Sequence, residues 1–228
     1  DNEINRNEFE LEIKNLFEKK ISSFNGLFSE SFCINQKSLL TQIEKNVIAK
    51  LNRIKYRIDI DNKFSNNELK INLETAFKSG FYIHFRNIMN QDKRGAIKIS
   101  NTKKLANYYF IREFCYGSMF RYNKREDFNI PYGGIDYNNK DFRKKVETLF
   151  SEKTRRLLIN VEIETGDFEN VLERNPPSKN DFVFLDPPYD TEFSEYDQHR
   201  FDKNDQKRLA KYILNLQSKF ILIIKETP

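Results

Sequence analysis

In the first third of the chain, apolar side chains recur every three or four residues. Phe9, Ile13, Leu16 and Phe17 form one such stripe, and Leu40, Ile43, Val47 and Leu51 form another. That period marks amphipathic helices whose apolar faces pack together, so residues 1–75 are predicted to be mostly helical. The stripes read as core and carry no chemistry. A further helix is predicted from Leu73 to Asn90, broken near Gly80, because glycine weakens a helix interior. His84 on it reads as a satisfied histidine rather than a ligand, since no Cys/His cluster accompanies it. Residues 91–103 follow as a basic loop, and helical periodicity resumes over 104–116.

The pattern then changes. β-Prone residues from Phe120 to Tyr132 flank the polar stretch Asn123-Lys124-Arg125-Glu126-Asp127, which predicts a β-hairpin spanning 118–134. Beyond residue 140 the pattern is α/β. Phe142, Val146, Leu149 and Phe150 share a helix face, Leu157 to Ile163 is predicted as a strand, and Gly166-Asp167-Phe168 opens the next turn. A strand at 182–185, a helix at 204–217 and a strand at 220–225 then form a parallel crossover unit. Three regions follow from this reading: a helical region 1–75, a middle region 76–139 carrying the hairpin, and an α/β portion 140–228.

Charge sharpens the role of the middle region. Residues 93–125 hold nine Lys or Arg and a single acid, Glu113, in a chain whose formal net charge is only +5. A basic segment of that density fits a phosphate-binding face, although a solvated lysine-rich surface has the same composition. Phe110 and Phe114 are assigned to core, and Arg121, Asn123 and Lys124 to nucleic acid. Hydrophobic residues at 38% and charged residues at 32% describe a globular protein, and no apolar run reaches membrane-spanning length. Cys33 and Cys115 allow one bridge at most, so a reduced intracellular chain is the default.

The chemistry concentrates at Asp186-Pro187-Pro188-Tyr189, directly after the apolar run Phe182-Val183-Phe184-Leu185. Ligands of open α/β sheets bind at the carboxyl ends of strands. Proline fixes its own φ and restricts the residue before it, so Asp186 and Pro187 are both held extended. A carboxylate and backbone carbonyls beside a flat ring suit a planar group bearing an amino substituent. Taken alone, the four residues also read as loop punctuation.

The tetrapeptide resembles the catalytic motif of amino-group methyltransferases that use S-adenosylmethionine. The stretch from Asp186 through Tyr196 to Phe201 is similar to that region of Dam-type DNA adenine-N6 methyltransferases, the D12 class. Upstream, the segment from Tyr116-Gly117-Ser118 through Arg121, Asn123, Phe128-Asn129 and Pro131 to Gly133-Gly134 resembles that family's target-recognition hairpin. With two motifs in the family's order, the similarity covers roughly residues 80–228. Four positions depart from the family pattern. Tyr116-Gly117-Ser118 replaces Asn-Gly-Leu, Asp127 stands at a usual turn glycine, and Gly134 stands where some members carry a base-reading arginine. The recognition sequence therefore does not carry over.

The resemblance implies part of a Rossmann-like methyltransferase sheet, joined to a mainly helical target-recognition region with a β-hairpin. It implies S-adenosylmethionine as donor and duplex DNA as partner, with no metal and no membrane. Catalysis falls to Asp186, Pro187, Pro188 and Tyr189. Asp186, Asp167 and Phe168 are implied for the donor, although a helix N-cap followed by a core phenylalanine fits Asp167-Phe168 equally well. DNA contact falls to Arg121, Tyr122, Asn123, Lys124, Arg125, Asn129 and Pro131. Phe193, Tyr196 and Phe201 follow the motif, Phe201 as a loop anchor, and His199 is expected to face solvent. None of the seven glycines forms the family's Phe-x-Gly-x-Gly donor turn. The expectation is an internal portion of a methyltransferase or one part of a split enzyme, completed by a donor-binding segment or a partner chain. The implied setting is bacterial or phage cytoplasm, in a restriction-modification system. An RNA or protein amino-group methyltransferase and a non-catalytic DNA-binding module remain as alternatives.

Overall fold

A computed structural model describes residues 2–20, 29–61, 65–188 and 201–224. The chain divides into two units, Asp1–Phe142 and Arg143–Pro228. In the first, α1 (Asn2–Lys20), α2 (Glu30–Cys33), α3 (Gln36–Asp61), α4 (Asn66–Lys93) and α5 (Asn101–Phe114) follow one another. In the second lie α7 (Glu152–Ile159), α8 (Phe168–Arg174), β1 (Phe182–Leu185), α9 (Lys203–Leu214) and β2 (Lys219–Leu222), while α6 (Phe142–Leu149) begins at the boundary.

The long helices of the first unit form where the apolar stripes lie. Leu39, Ile43 and Val47 of α3 bury against Ala76 of α4, and Cys33 closes the same cluster. Ser65 starts α4 with a capping box: its hydroxyl accepts from the Glu68 N–H at 3.2 Å, and the Glu68 carboxylate accepts from the Ser65 N–H at 2.8 Å. From there the helix runs unbroken through Gly80, which corrects the expected break. A Cβ on Gly80 would lie 2.5 Å from Ile43 Cα and 2.7 Å from the Gln42 carbonyl oxygen. The glycine is therefore the point of closest approach between α3 and α4, and burial on both sides of it outweighs its weak helix propensity. His84 is buried, with Nε2 2.8 Å from the Cys33 carbonyl oxygen, and burial lowers its pKa. Both cysteines are free and buried.

A second cluster joins α4 and α5 to the segment after them, through Tyr82, Ile111, Cys115, Phe128, Ile130 and Tyr132. Phe110 and Phe114 pack against it. The expected hairpin is reduced here to two isolated antiparallel bridges, Tyr122 with Phe128 and Cys115 with Tyr132.

In the second unit β1 and β2 pair in parallel, Phe182 opposite Lys219 through Leu185 opposite Leu222, with α9 between them in sequence. The fold class is thus α/β with a helical majority. The expected strand from Leu157 to Ile163 is corrected: Leu157–Ile159 finish α7, and no strand is assigned over 160–163. Ser151 decides this by accepting from the Thr154 N–H, which starts a helix that carries the apolar run into its last turn. Among the described residues no helix is long and apolar enough to cross a membrane, and no group of three or more His, Cys, Asp or Glu side chains is placed to hold a metal ion.

The close approach at Gly80 gives a test with opposed expectations. Propensity alone predicts that Gly80→Ala stabilises α4, whereas overpacking against the α3 backbone costs about 1–3 kcal/mol. Urea unfolding followed by far-ultraviolet circular dichroism should show a lower midpoint for the variant. A raised midpoint would remove the close contact from the account.

Candidate functional site

The segment after α5 is built by its own polar groups. The Tyr116 N–H donates to the Pro131 carbonyl at 2.9 Å and the Gly133 N–H to the Phe114 carbonyl at 2.9 Å, which ties the two ends together. At the tip, Asn123 Oδ1 accepts from the N–H groups of Arg125 and Asp127 at 2.9 and 3.1 Å. This is an Asx turn, which shapes the loop through a side chain rather than a ladder. The carboxamide oxygen of Asn123 is therefore committed to the turn, while its amide nitrogen has no such role. Beyond the tip burial alternates: Phe128, Ile130 and Tyr132 face the core, while Asn129 and Pro131 face outward. All seven residues predicted to meet DNA (Arg121, Tyr122, Asn123, Lys124, Arg125, Asn129 and Pro131) are exposed.

What holds this segment is α4, and its side chains reach for main chain. The Tyr82 hydroxyl donates to the Ile130 carbonyl at 3.0 Å. Arg86 Nη1 donates to the carbonyls of Asn129 and Ile130 at 3.2 and 3.0 Å. Asn90 is used twice: Nδ2 donates to the Phe128 carbonyl at 3.0 Å, and Oδ1 accepts from the Phe128 N–H at 2.9 Å. One turn further, Lys93 donates to the Glu126 carbonyl at 3.0 Å and sits 4.5 Å from the Tyr122 ring centroid, and Arg94 pairs with Asp127 at 3.5 Å. Burial pushes the Tyr82 phenol far above its ordinary pKa and lowers that of the Arg86 guanidinium. Sequence reasoning missed these positions. Their trace is the spacing: Tyr82, Arg86 and Asn90 fall four apart, a polar line within the apolar face of one helix.

In the second unit Asp186 is exposed immediately after β1, Pro187 is half-buried and Pro188 is exposed. The Pro188 carbonyl accepts from Gln206 Nε2 at 3.0 Å, which fixes the motif's described end to the first turns of α9. Tyr189, Phe193, Tyr196 and His199 lie outside the described residues. Asp167 is the N-cap of α8, accepting from the Glu169 N–H at 3.0 Å. It also accepts from Arg208 Nη2 at 2.7 Å, and that hydrogen bond is the main reason its carboxyl lies below the usual range. Arg208 bonds Glu169 and Asp205 as well and lies over the Phe168 ring at 5.0 Å. Phe168 and Phe201 pack with centroids 5.9 Å apart. Asp167 and Phe168 thus take the N-cap and packing arrangement. The fit to an adenosine-bearing sulfonium is partial, with a free carboxylate at Asp186 and a ring at Phe168, while Arg208 already holds Asp167.

The family model for D12 class N6 adenine-specific DNA methyltransferases matches residues 12–226. The Type II methyltransferase M.MjaIII of Methanocaldococcus jannaschii is 29% identical over 195 residues, covering 81% of this chain and 63% of its own length. The Type II methyltransferase M.CviBI of Paramecium bursaria Chlorella virus NC1A is 33% identical over 120 residues, 53% of this chain and 44% of its own. The Retron Ec67 DNA adenine methylase of Escherichia coli is 30% identical over 141 residues, 62% and 45% respectively. The chain therefore spans less than two thirds of the length of each of these relatives.

Asn90 supports the segment 123–131 through two buried main-chain groups, so replacing it isolates that support. Asn90→Leu keeps the volume and leaves the Phe128 N–H and carbonyl unpaired, at about 1–3 kcal/mol for each group. Urea titration should show a lowered midpoint, and an unchanged one would mean that water or a shifted loop satisfies Phe128 instead.

Proposed function

The chain belongs to the D12 class of N6 adenine-specific DNA methyltransferases, and from that membership we propose that the protein moves a methyl group from S-adenosylmethionine to adenine N6 in duplex DNA. The observation that carries this reading is the placement of Asp186, an exposed carboxylate at the carboxyl end of a parallel strand. Ligands of α/β sheets bind at that edge.

Adenine N6 lies inside the duplex with its lone pair delocalised into the ring, so the base must leave the stack, at a cost of a few kcal/mol. Tyr189 stacks on the extruded adenine. The Asp186 carboxylate and the Pro187 carbonyl accept the two amino hydrogens, favouring a pyramidal nitrogen with a directed lone pair. This is positioning and electrostatics rather than proton abstraction before attack. S-Adenosylmethionine supplies a methyl carbon already activated by sulfonium, and Asp186, Phe168 and Asp167 are the residues of this chain assigned to it, Asp167 after release from Arg208. Arg121, Tyr122, Asn123, Lys124, Arg125, Asn129 and Pro131 meet the duplex, the cations on phosphate and the polar side chains on base edges. Residues 76–139 act as the recognition region with its hairpin, and 140–228 as the catalytic portion.

The two strands belong to a larger Rossmann-like sheet. Parallel strands are ordinarily covered on both faces, yet Phe182 and Phe184 are 60% and 58% exposed and Ile221 is 50% exposed. The segment that covers them and binds the donor comes from outside these 228 residues, in the same polypeptide or a partner chain. Relatives named Type II methyltransferases support a place in restriction-modification.

The test uses the protein expressed from its complete gene, tritiated S-adenosylmethionine and duplex DNA. Digested product should contain N6-methyladenine. Asp186→Ala should lower the rate by about 10²–10³-fold, the usual cost of losing a charge-stabilising contact, while leaving duplex affinity nearly unchanged. Label in RNA, in protein or on cytosine, or no transfer alongside tight DNA binding, would replace the proposal with another activity.

A further inference from the structure

Beside the end of the recognition segment the first unit holds a polar basin of about 190 Å³, lined among others by Asn46, Lys50, Arg53, Ser79 and Gly134. Its two cations come from α3, outside the basic stretch 93–125. Arg53 is exposed and Lys50 half-buried, and among the described residues neither forms an ion pair. Among the described residues Lys50 Nζ donates to the neutral Asn72 Oδ1, at 3.4 Å. On α3 and α4, Glu44 pairs with Lys14 at 3.5 Å and Glu74 with Lys78 at 2.6 Å. Arg57 extends the same face one turn further, and like charges at this spacing oppose one another. Burial first, then Arg53 and Arg57, lower the Lys50 pKa. The basin is therefore a concave, partly desolvated site of positive charge, with no ion pair to Lys50 or Arg53 among the described residues. Gly134 keeps its rim open: φ is +88°, and nothing lies within 4 Å of where a Cβ would stand. Three residues before it is Pro131, the last of the exposed recognition positions.

We propose that this basin is a second phosphate site of the DNA-binding face, in which Lys50 and Arg53 grip a backbone phosphodiester of the duplex engaged by residues 121–131. The proposal rests on the DNA reading given above. A phosphate there fixes the register of the protein on the helix without reading sequence. Each phosphate contact releases condensed counter-ions, so it leaves a mark in the salt dependence of binding.

Fluorescence anisotropy with a labelled duplex, across a sodium chloride series, tests it on the full chain. Three proteins are compared: wild type, K50Q/R53Q and K124Q/R125Q. K50Q/R53Q should bind more weakly at every sequence, with a log–log salt slope smaller by about one, the counter-ion release of the one phosphate lost. The exposed single variant R53Q, which leaves the half-buried lysine in place, should show a smaller loss of affinity and slope than the double variant. A wild-type slope in K50Q/R53Q, with a reduced slope in K124Q/R125Q, would overturn the basin and leave the DNA reading standing. Absence of salt-dependent duplex binding in the wild type would remove both. Inorganic phosphate at constant ionic strength is the last arm. If it raises the melting temperature of wild type but not of K50Q/R53Q while the DNA slopes coincide, the basin takes free phosphate and the proposal is overturned.

Discussion

Both halves of the Asn90 carboxamide are spent on one residue, Phe128: its carbonyl receives Nδ2 and its N–H donates to Oδ1. A backbone amide buried without a partner is costly, and the segment 123–131 has no continuous ladder to supply one. The helix α4 supplies it instead, with Tyr82 and Arg86 taking the next two carbonyls along. The arrangement separates duties. Buried Phe128, Ile130 and Tyr132 anchor the segment, main-chain groups are satisfied by α4, and the outward side chains are left to a ligand. On the function proposed above, this preorganisation leaves little ordering to be done when the segment meets a duplex.

The second unit shows the same economy around Arg208. That one guanidinium bonds Asp167, Glu169 and Asp205 and covers Phe168, so it joins the start of α8 to the start of α9. The Pro188 carbonyl is held from the same end of α9 by Gln206. The loop after β1 is thus fixed at its base, with the Asp186 carboxylate left to solvent. The apolar side chains Phe182 and Phe184 of β1 and Phe220 and Ile221 of β2, by contrast, are exposed.

Much of this was legible in the residues. The stripes of α3, the limits of β1 and its parallel pairing with β2 follow from period and run length. Asn123-Lys124-Arg125 announced a turn because asparagine closes one locally. What escaped depends on distant neighbours. Gly80 reads as a helix breaker until the α3 backbone is seen against it. Leu157 to Ile163 reads as a strand because a short apolar run is ambiguous between states, and the cap at Ser151 resolves it only once its bond to Thr154 is known. Tyr82, Arg86 and Asn90 look like ordinary helix residues, since the groups they satisfy lie about forty residues ahead. Asp167 carried two readings in sequence, and its tie to Arg208 is a tertiary fact.

The central claim is that α4 fixes the segment 123–131 through the Phe128 main chain. Amide hydrogen exchange at Phe128 measures this directly. The account predicts strong protection in the wild-type chain, comparable to buried amides of α4, lost on Asn90→Ala while amides of α3 stay protected. Rapid exchange at Phe128 in the wild type, as in a solvent-facing loop, would contradict it.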